Sequence, residues 1–115
     1  MIFDRFDVAV LPFPVGAAAD QATRRRPALA LSTRGFALSH GHTLFAMITA
    51  GAGVPWASDV PIVDLAAAGL PAASLVRLKL FTVDNAVPVG RLGSLAKRDA
   101  KAVRRALAAA LGEDD

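Results

Sequence analysis

Arg24, Arg25 and Arg26 stand consecutively ahead of Pro27. A guanidinium presents a planar fork of N–H donors that matches phosphate or carboxylate oxygens, so this run suits an anionic ligand. The stretch 14–26 reads as a small polar loop between two apolar runs, so the arginines leave a mobile segment and enter a rigid one. Asp20 is the one carboxylate of that loop, and a loop aspartate caps a turn more readily than it does chemistry. Thr49 closes an apolar run, where a threonine by itself reads as a β-former bonding its own turn. Arg77 and Lys79 alternate with Val76, Leu78 and Leu80. They offer backbone-phosphate contacts or an ordinary solvated sheet face. His40 and His42 would have to face a scissile phosphate to move protons, but a pair two apart in a Gly/Ser-rich segment reads as turn-bonding or solvent-facing. Trp56, beside Pro55, reads either as a base-stacking platform or as packing under its loop.

Composition narrows the chemistry further. The chain has no cysteine and two histidines, which excludes disulfides and thiol nucleophiles and argues against a protein-built metal site. No cofactor is expected. Glu113, Asp114 and Asp115 form an acidic tail, leaving 13 basic against 7 acidic residues in the first 112, a net of +6. Ten of the basic residues are arginine. That balance fits a polyanionic partner and equally an arginine-rich solvated surface. At 115 residues and 54% apolar content, the chain reads as a single domain, 1–115, large enough for a real core. No apolar run approaches membrane-spanning length and the opening lacks a leader pattern, so a cytoplasmic location without membrane contact is expected.

The elements that must position these residues read as strands over 7–13, 27–32, 43–49, 58–64, 74–80 and 87–92. Pro61 marks 58–64 as an edge or bulged strand, and 81–85 reads as a turn. Residues 33–42 read as a connection, and 65–73 as a short turn or helical turn. From 95 to 111 the apolar period becomes helical: Val103, Leu107 and Leu111 share one face, Lys97, Arg98, Lys101, Arg104 and Arg105 another. Gly112 terminates the helix, and Ser94 substitutes for a capping residue at its start. The basic helix face reads as solvated surface. Five or six strands and a terminal helix imply a mainly β fold, a small, partly open antiparallel barrel.

The order of these pieces resembles the toxin ribonucleases of the MazF/PemK family. Their opening runs Gly-Asp, apolar strand, polar loop, Arg-Pro and apolar strand, matched here by Asp7, Arg26 and Pro27. MITAG at 47–51, VRLKLFTVD at 76–84, GRLGSL at 90–95 and a closing helix follow in the family's order, so the resemblance covers nearly the whole chain. It implies the family's SH3-like (CcdB/PemK-type) barrel and a type II toxin that inhibits translation and growth. It also implies sequence-specific, metal-independent endoribonuclease activity on single-stranded mRNA, leaving cyclic phosphate and 5′-hydroxyl ends. Arg26 and Thr49 would be catalytic, with Arg24, Arg25, Asp20, Arg77 and Lys79 touching RNA. The family also implies a homodimer and a cognate antitoxin with an acidic, partly disordered segment. Ala50 and Gly51 depart from the pattern, standing where many members carry glutamine or another polar group after the hydroxyl residue.

In such a reaction the ribose 2′-hydroxyl attacks its own phosphate and negative charge grows on the equatorial oxygens. An arginine aimed at those oxygens binds more strongly as the charge develops, and a threonine hydroxyl adds a donor or orients the attacking group. The residues assign no general base. Two other readings share the fold, a gyrase-binding toxin of the CcdB type and a catalytically silent binding module.

Overall fold

In a computed structural model that describes residues 1–14, 23–51 and 53–113, strand β1 (Asp7–Pro14) runs antiparallel to β2 (Thr23–Ala30). Helix α1 (Arg34–His40) leads to β3 (His42–Thr49), and a two-residue β4 (Val60–Pro61) precedes the short helix α2 (Leu65–Ala68). β5 (Leu75–Asp84), β6 (Gly90–Ser94) and helix α3 (Lys97–Ala110) complete the order. The strands form one antiparallel sheet, β4-β5-β3-β2-β1-β6. It curls into a half-barrel open between β4 and β6, the mainly β fold with a closing helix that the sequence implies.

Strand periodicity divides the apolar residues between two faces. Val8, Leu29, Ala46, Ile48 and Val76 join Val103 and Leu107 of α3 in the larger core, whereas Ala9, Leu11, Ala28, Ala30 and Phe45 gather on the other face with Phe3. Helix α3 therefore covers one side of the sheet only. The open edge of the half-barrel is bridged by α2. A Cβ added at Gly69 (φ 73°) would lie 2.1 Å from the Leu92 carbonyl oxygen, and one at Gly93 would lie 2.3 Å from that of Ala67. Only glycine lets these two backbones approach so closely.

Two buried carboxylates tie the ends of this arrangement together. Asp99, 2% exposed, accepts the backbone N–H groups of Val63 (3.1 Å) and Asp64 (2.9 Å), joining α3 to the segment that enters α2. Asp7 accepts the Ser94 hydroxyl at 2.6 Å, the Asp4 N–H at 2.9 Å and an Arg91 N–H at 3.3 Å, joining β1 to β6. Burial pushes the Asp7 carboxyl up, but the hydrogen bonds from Ser94, Arg91 and Asp4 outweigh it and hold the group below the ordinary aspartate value. Ser94 is therefore engaged in the sheet and does not cap α3. The N-cap position is Ala96, without a side-chain cap.

The expected elements differ from the observed ones in five places. Residues 33–42 hold α1, whose N-terminus is capped by the Thr33 hydroxyl accepting from Phe36 N–H and whose end is Gly41 at φ 75°. The last long strand runs through 81–84, where a turn is expected, because β3 pairs with it as far as His42 and Asp84. The strand over 58–64 shrinks to Val60–Pro61 at the sheet edge, and the one over 87–92 begins only at Gly90. The fifth difference, the position of the arginines, shapes the site.

Candidate active site

Arg24, Arg25 and Arg26 lie inside β2, opposite Phe13, Pro12 and Leu11 of β1. They do not leave a loop at Pro27. Leu31 donates its N–H to Leu44 of β3 while Ala30 accepts from Phe6. By the alternation of a strand, Leu29 and Pro27 then face β3, and Ala28 and Arg26 face β1. Pro27, which has no N–H, thus points its nitrogen towards β3, and the β2–β3 ladder ends next to it at Ala28 and Met47. The β1–β2 pairing continues to Pro14 and Thr23. The far half of this hairpin is therefore bonded along one side only.

The β2–β3 register pairs Ala30 with Phe45, Leu29 with Ala46 and Ala28 with Met47. Continued two residues further, it sets Arg26 opposite Thr49, on the sheet face away from α3. Arg24 has the parity of Arg26, and Arg25 projects to the other face. All three side chains are exposed and, among the described residues, none is in an ion pair. The half-buried Thr49 hydroxyl accepts the Gly51 N–H at 3.3 Å, which leaves its own O–H as a donor. Gly51 sits at φ 86°, and a Cβ there would approach Leu75 Cδ2 to 2.9 Å. That geometry requires the glycine.

The other RNA-contact candidates fall differently. Asp20 lies outside the described residues. Arg77 is not on an exposed basic face. The pairing steps from Ala46 with Leu80 directly to Met47 with Arg77, so Leu78 and Lys79 form a bulge that interrupts the expected alternation. Arg77 turns inward, 7% exposed, and donates to both Asp59 oxygens at 2.9 and 2.7 Å. The bidentate contact from Arg77 draws Asp59 below the ordinary range and raises Arg77 in turn. Lys79 remains exposed. The Arg77 guanidinium and the Lys79 ammonium lie 5.5 and 5.7 Å from the centroid of Trp56. The two readings of Trp56 are resolved to this extent: its ring backs a cation pair while remaining 40% exposed.

His40 stacks its ring near Phe36 at 4.7 Å, and His42 Nδ1 lies 3.1 Å from the His40 carbonyl. Both contacts are local. His42 opens the strand that Thr49 ends, seven residues or about 23 Å away. Asp59 is the residue that sequence reasoning missed, because a partner 18 positions from Arg77 leaves no local pattern.

The sequence model of the PemK-like, MazF-like toxins of type II toxin-antitoxin systems matches residues 4–111. The chain belongs to that family. It is therefore a type II toxin, of a family whose known activity is endoribonucleolytic. No curated protein sequence matches it significantly. Among solved structures, the fold is similar to MazF in a MazE-MazF crystal from Deinococcus radiodurans, with TM-score 0.76 and 18% identity over 99% of this chain and 100% of that one. It is also similar to an endoribonuclease from Mycobacterial species in complex with its cognate antitoxin, with TM-score 0.74 and 17% identity over 97% and 95% of the two chains. Mycobacterium tuberculosis toxin MazF-mt6 gives TM-score 0.68 and 24% identity over 95% and 99%. The shared fold runs the length of each chain. Among the described residues no helix is long and apolar enough to cross a membrane.

Proposed function

We propose that this chain is a metal-independent endoribonuclease that cuts single-stranded mRNA at preferred sequences, with Arg26 and Thr49 as its catalytic residues. What supports this reading is the register. Continued past its end at Ala28 and Met47, the β2–β3 register would set Arg26 opposite Thr49, with Pro27, which has no N–H to give, next to the last bonded pair. In the reaction, the 2′-hydroxyl attacks the adjacent phosphorus and loses its proton. The bond to the 5′-oxygen then breaks, and that oxygen takes up a proton, leaving a 2′,3′-cyclic phosphate and a 5′-hydroxyl end. Arg26, always protonated, contributes by holding the charge on the equatorial oxygens, and the Thr49 O–H adds a donor to the same oxygens or orients the attacking group.

Arg24 extends the cationic face on which the RNA lies, and Lys79 with Trp56 offers a charge and an aromatic surface beyond Thr49. Two copies form the working groove, and a cognate antitoxin inhibits by laying an acidic, flexible segment over the same arginines. The neighbour solved with its cognate antitoxin supports that partner. The test is incubation of the antitoxin-free protein with a long single-stranded RNA in chelator, with Arg26→Ala and Thr49→Ala alongside. Cuts with 5′-hydroxyl ends from the unmodified chain alone are expected. A folded protein that leaves the RNA intact would make it a silent binding module.

A further inference from the structure

Six carboxylates of the described residues, all but Glu113, serve structural tasks. Asp4 pairs with Arg34, Asp7 with Arg91 and Asp59 with Arg77. Asp64 caps α2, Asp84 accepts the Ala86 N–H, and Asp99 accepts two backbone N–H groups. None of these six is ion-paired with a cation of α3. The α3 cations form a second basic cluster, separate from Arg24 and Arg26, whose parity puts them on the sheet face away from α3.

The cluster lines a cleft of about 680 Å³ between α3 and the turn that enters β1. Lys97, Lys101, Arg104 and Arg105 approach from the helix and Arg5 from the facing segment, with no acidic residue in the lining. At the base of the cleft is Phe6, the one non-glycine residue at positive φ (72°) among those described. Its strained backbone is held by Phe6 N–H to Ala30 O at 2.7 Å and by Leu95 N–H to Phe6 O at 3.0 Å. The Arg5 and Arg104 guanidiniums lie 4.7 and 5.1 Å from the centroid of its ring. The ring thus holds two like charges from separate elements beside one cleft, an arrangement that repels itself unless an anion enters. Lys97 and Lys101 are one helical turn apart, about 6 Å, on the order of the phosphate spacing along an extended strand.

We propose that this cleft is an exosite for the phosphodiester backbone of single-stranded RNA, binding nucleotides that flank the cut site. It deepens the ribonuclease reading and rests on it for the choice of RNA. The cleft presents cations and one buried ring without exposed apolar anchors, which favours a phosphate backbone over a peptide segment. Phe6 immediately precedes β1, and Leu11, five residues on and about 17 Å away, pairs with Arg26. An RNA must therefore extend several nucleotides past the cut, and around the sheet, to occupy both sites.

The test compares two RNAs made uncleavable by a 2′-deoxy substitution at the cut. One is confined to the cut site, and the other is extended by roughly 16 nucleotides. The variant Lys97→Gln with Lys101→Gln removes two charges, keeps most of each stem and spares the contacts with Phe6. At about 0.7 in salt slope per phosphate contact on a single strand, it should lower the slope for the long RNA by about 1.4. That corresponds to roughly tenfold in affinity near 0.15 M salt. Binding of the short RNA and its cleavage in unsubstituted form should not change. A second pair, Arg5→Gln with Arg104→Gln, should give the same length-dependent loss, with folding verified by its denaturation midpoint. Equal losses for both RNAs, or no loss for the long one, would overturn the exosite. So would weakened antitoxin binding with RNA affinity intact, which would assign the cleft to a protein partner. If the unmodified protein cuts nothing yet holds the long RNA through these charges, the catalytic reading fails and the exosite stands.

Discussion

Replacing Asp99 by alanine should weaken the fold more than any surface substitution, and the structure sets the scale. The carboxylate is 2% exposed and receives two N–H donors, from Val63 at 3.1 Å and Asp64 at 2.9 Å. Removing the acceptor leaves two buried donors unpaired, and each such orphan costs about 1–3 kcal/mol. The loss of a negative charge from the first turn of α3 adds about 0.3–1 kcal/mol. Access of water to the new space offsets part of this, so a net loss of about 3 kcal/mol is expected for Asp99→Ala. Asp99→Asn keeps one carbonyl acceptor and can satisfy one of the two donors, so it should lose about half as much. In urea, with a slope of about 1.5 kcal/mol per molar, the alanine variant's midpoint should fall by roughly 2 M. The loss should also appear as early hydrogen exchange at Val63, Asp64 and α2, since Asp64 caps that helix through Ala67 N–H. An alanine variant within about 0.5 kcal/mol of the unmodified chain, the range of ordinary surface changes, would refute the view that this carboxylate clamps α3 to the bridge across the open barrel edge.

Arg26→Ala should reduce RNA cleavage by about 10²–10³-fold, the usual effect of removing one charge-stabilising donor, while leaving the melting profile unchanged. Loss of the fold would make Arg26 a structural residue. Gly93→Ala should destabilise by about 2–3 kcal/mol because its Cβ would meet backbone at 2.3 Å. Gly35→Ala inside α1, where the nearest atom would be Thr33 Oγ1 at 3.8 Å, should stabilise by about 0.5–1 kcal/mol. Paired denaturation curves measure both. Asp7 and Asp59 are held below the ordinary aspartate value of 3.8. Their contribution is therefore complete above that value and is lost as pH falls through the lowered ones. Asp7→Asn should flatten the acid limb of the stability profile, and an unchanged limb would remove Asp7 from it.

The sequence by itself determined the fold class, because the period-two alternation of 74–80 and the 3.6-residue stripe of Val103 and Leu107 each point to one kind of element. It also singled out Arg26, Pro27 and Thr49, whose order along the chain is the family's. Helix α1 is not read from the sequence, although Thr33 and Gly41 bracket its apolar residues. What the chain order could not carry was the meaning of a charge. Arg77 and Lys79 read alike on paper, yet a bulge in β5 turns one inward to Asp59 and leaves the other in water. Pro27 reads as the start of a strand but lies within one, next to the point where the β2–β3 pairing ends at Ala28 and Met47. Asp99 carries no signal in the chain order, because the two backbone donors it accepts lie 35 and 36 residues away. The β2–β3 pairing that ends at Ala28 and Met47, the bidentate Arg77 with Asp59 and the cleft around Phe6 all join residues distant in sequence. Such contacts depend on register, and register is decided only when the whole sheet closes on its core.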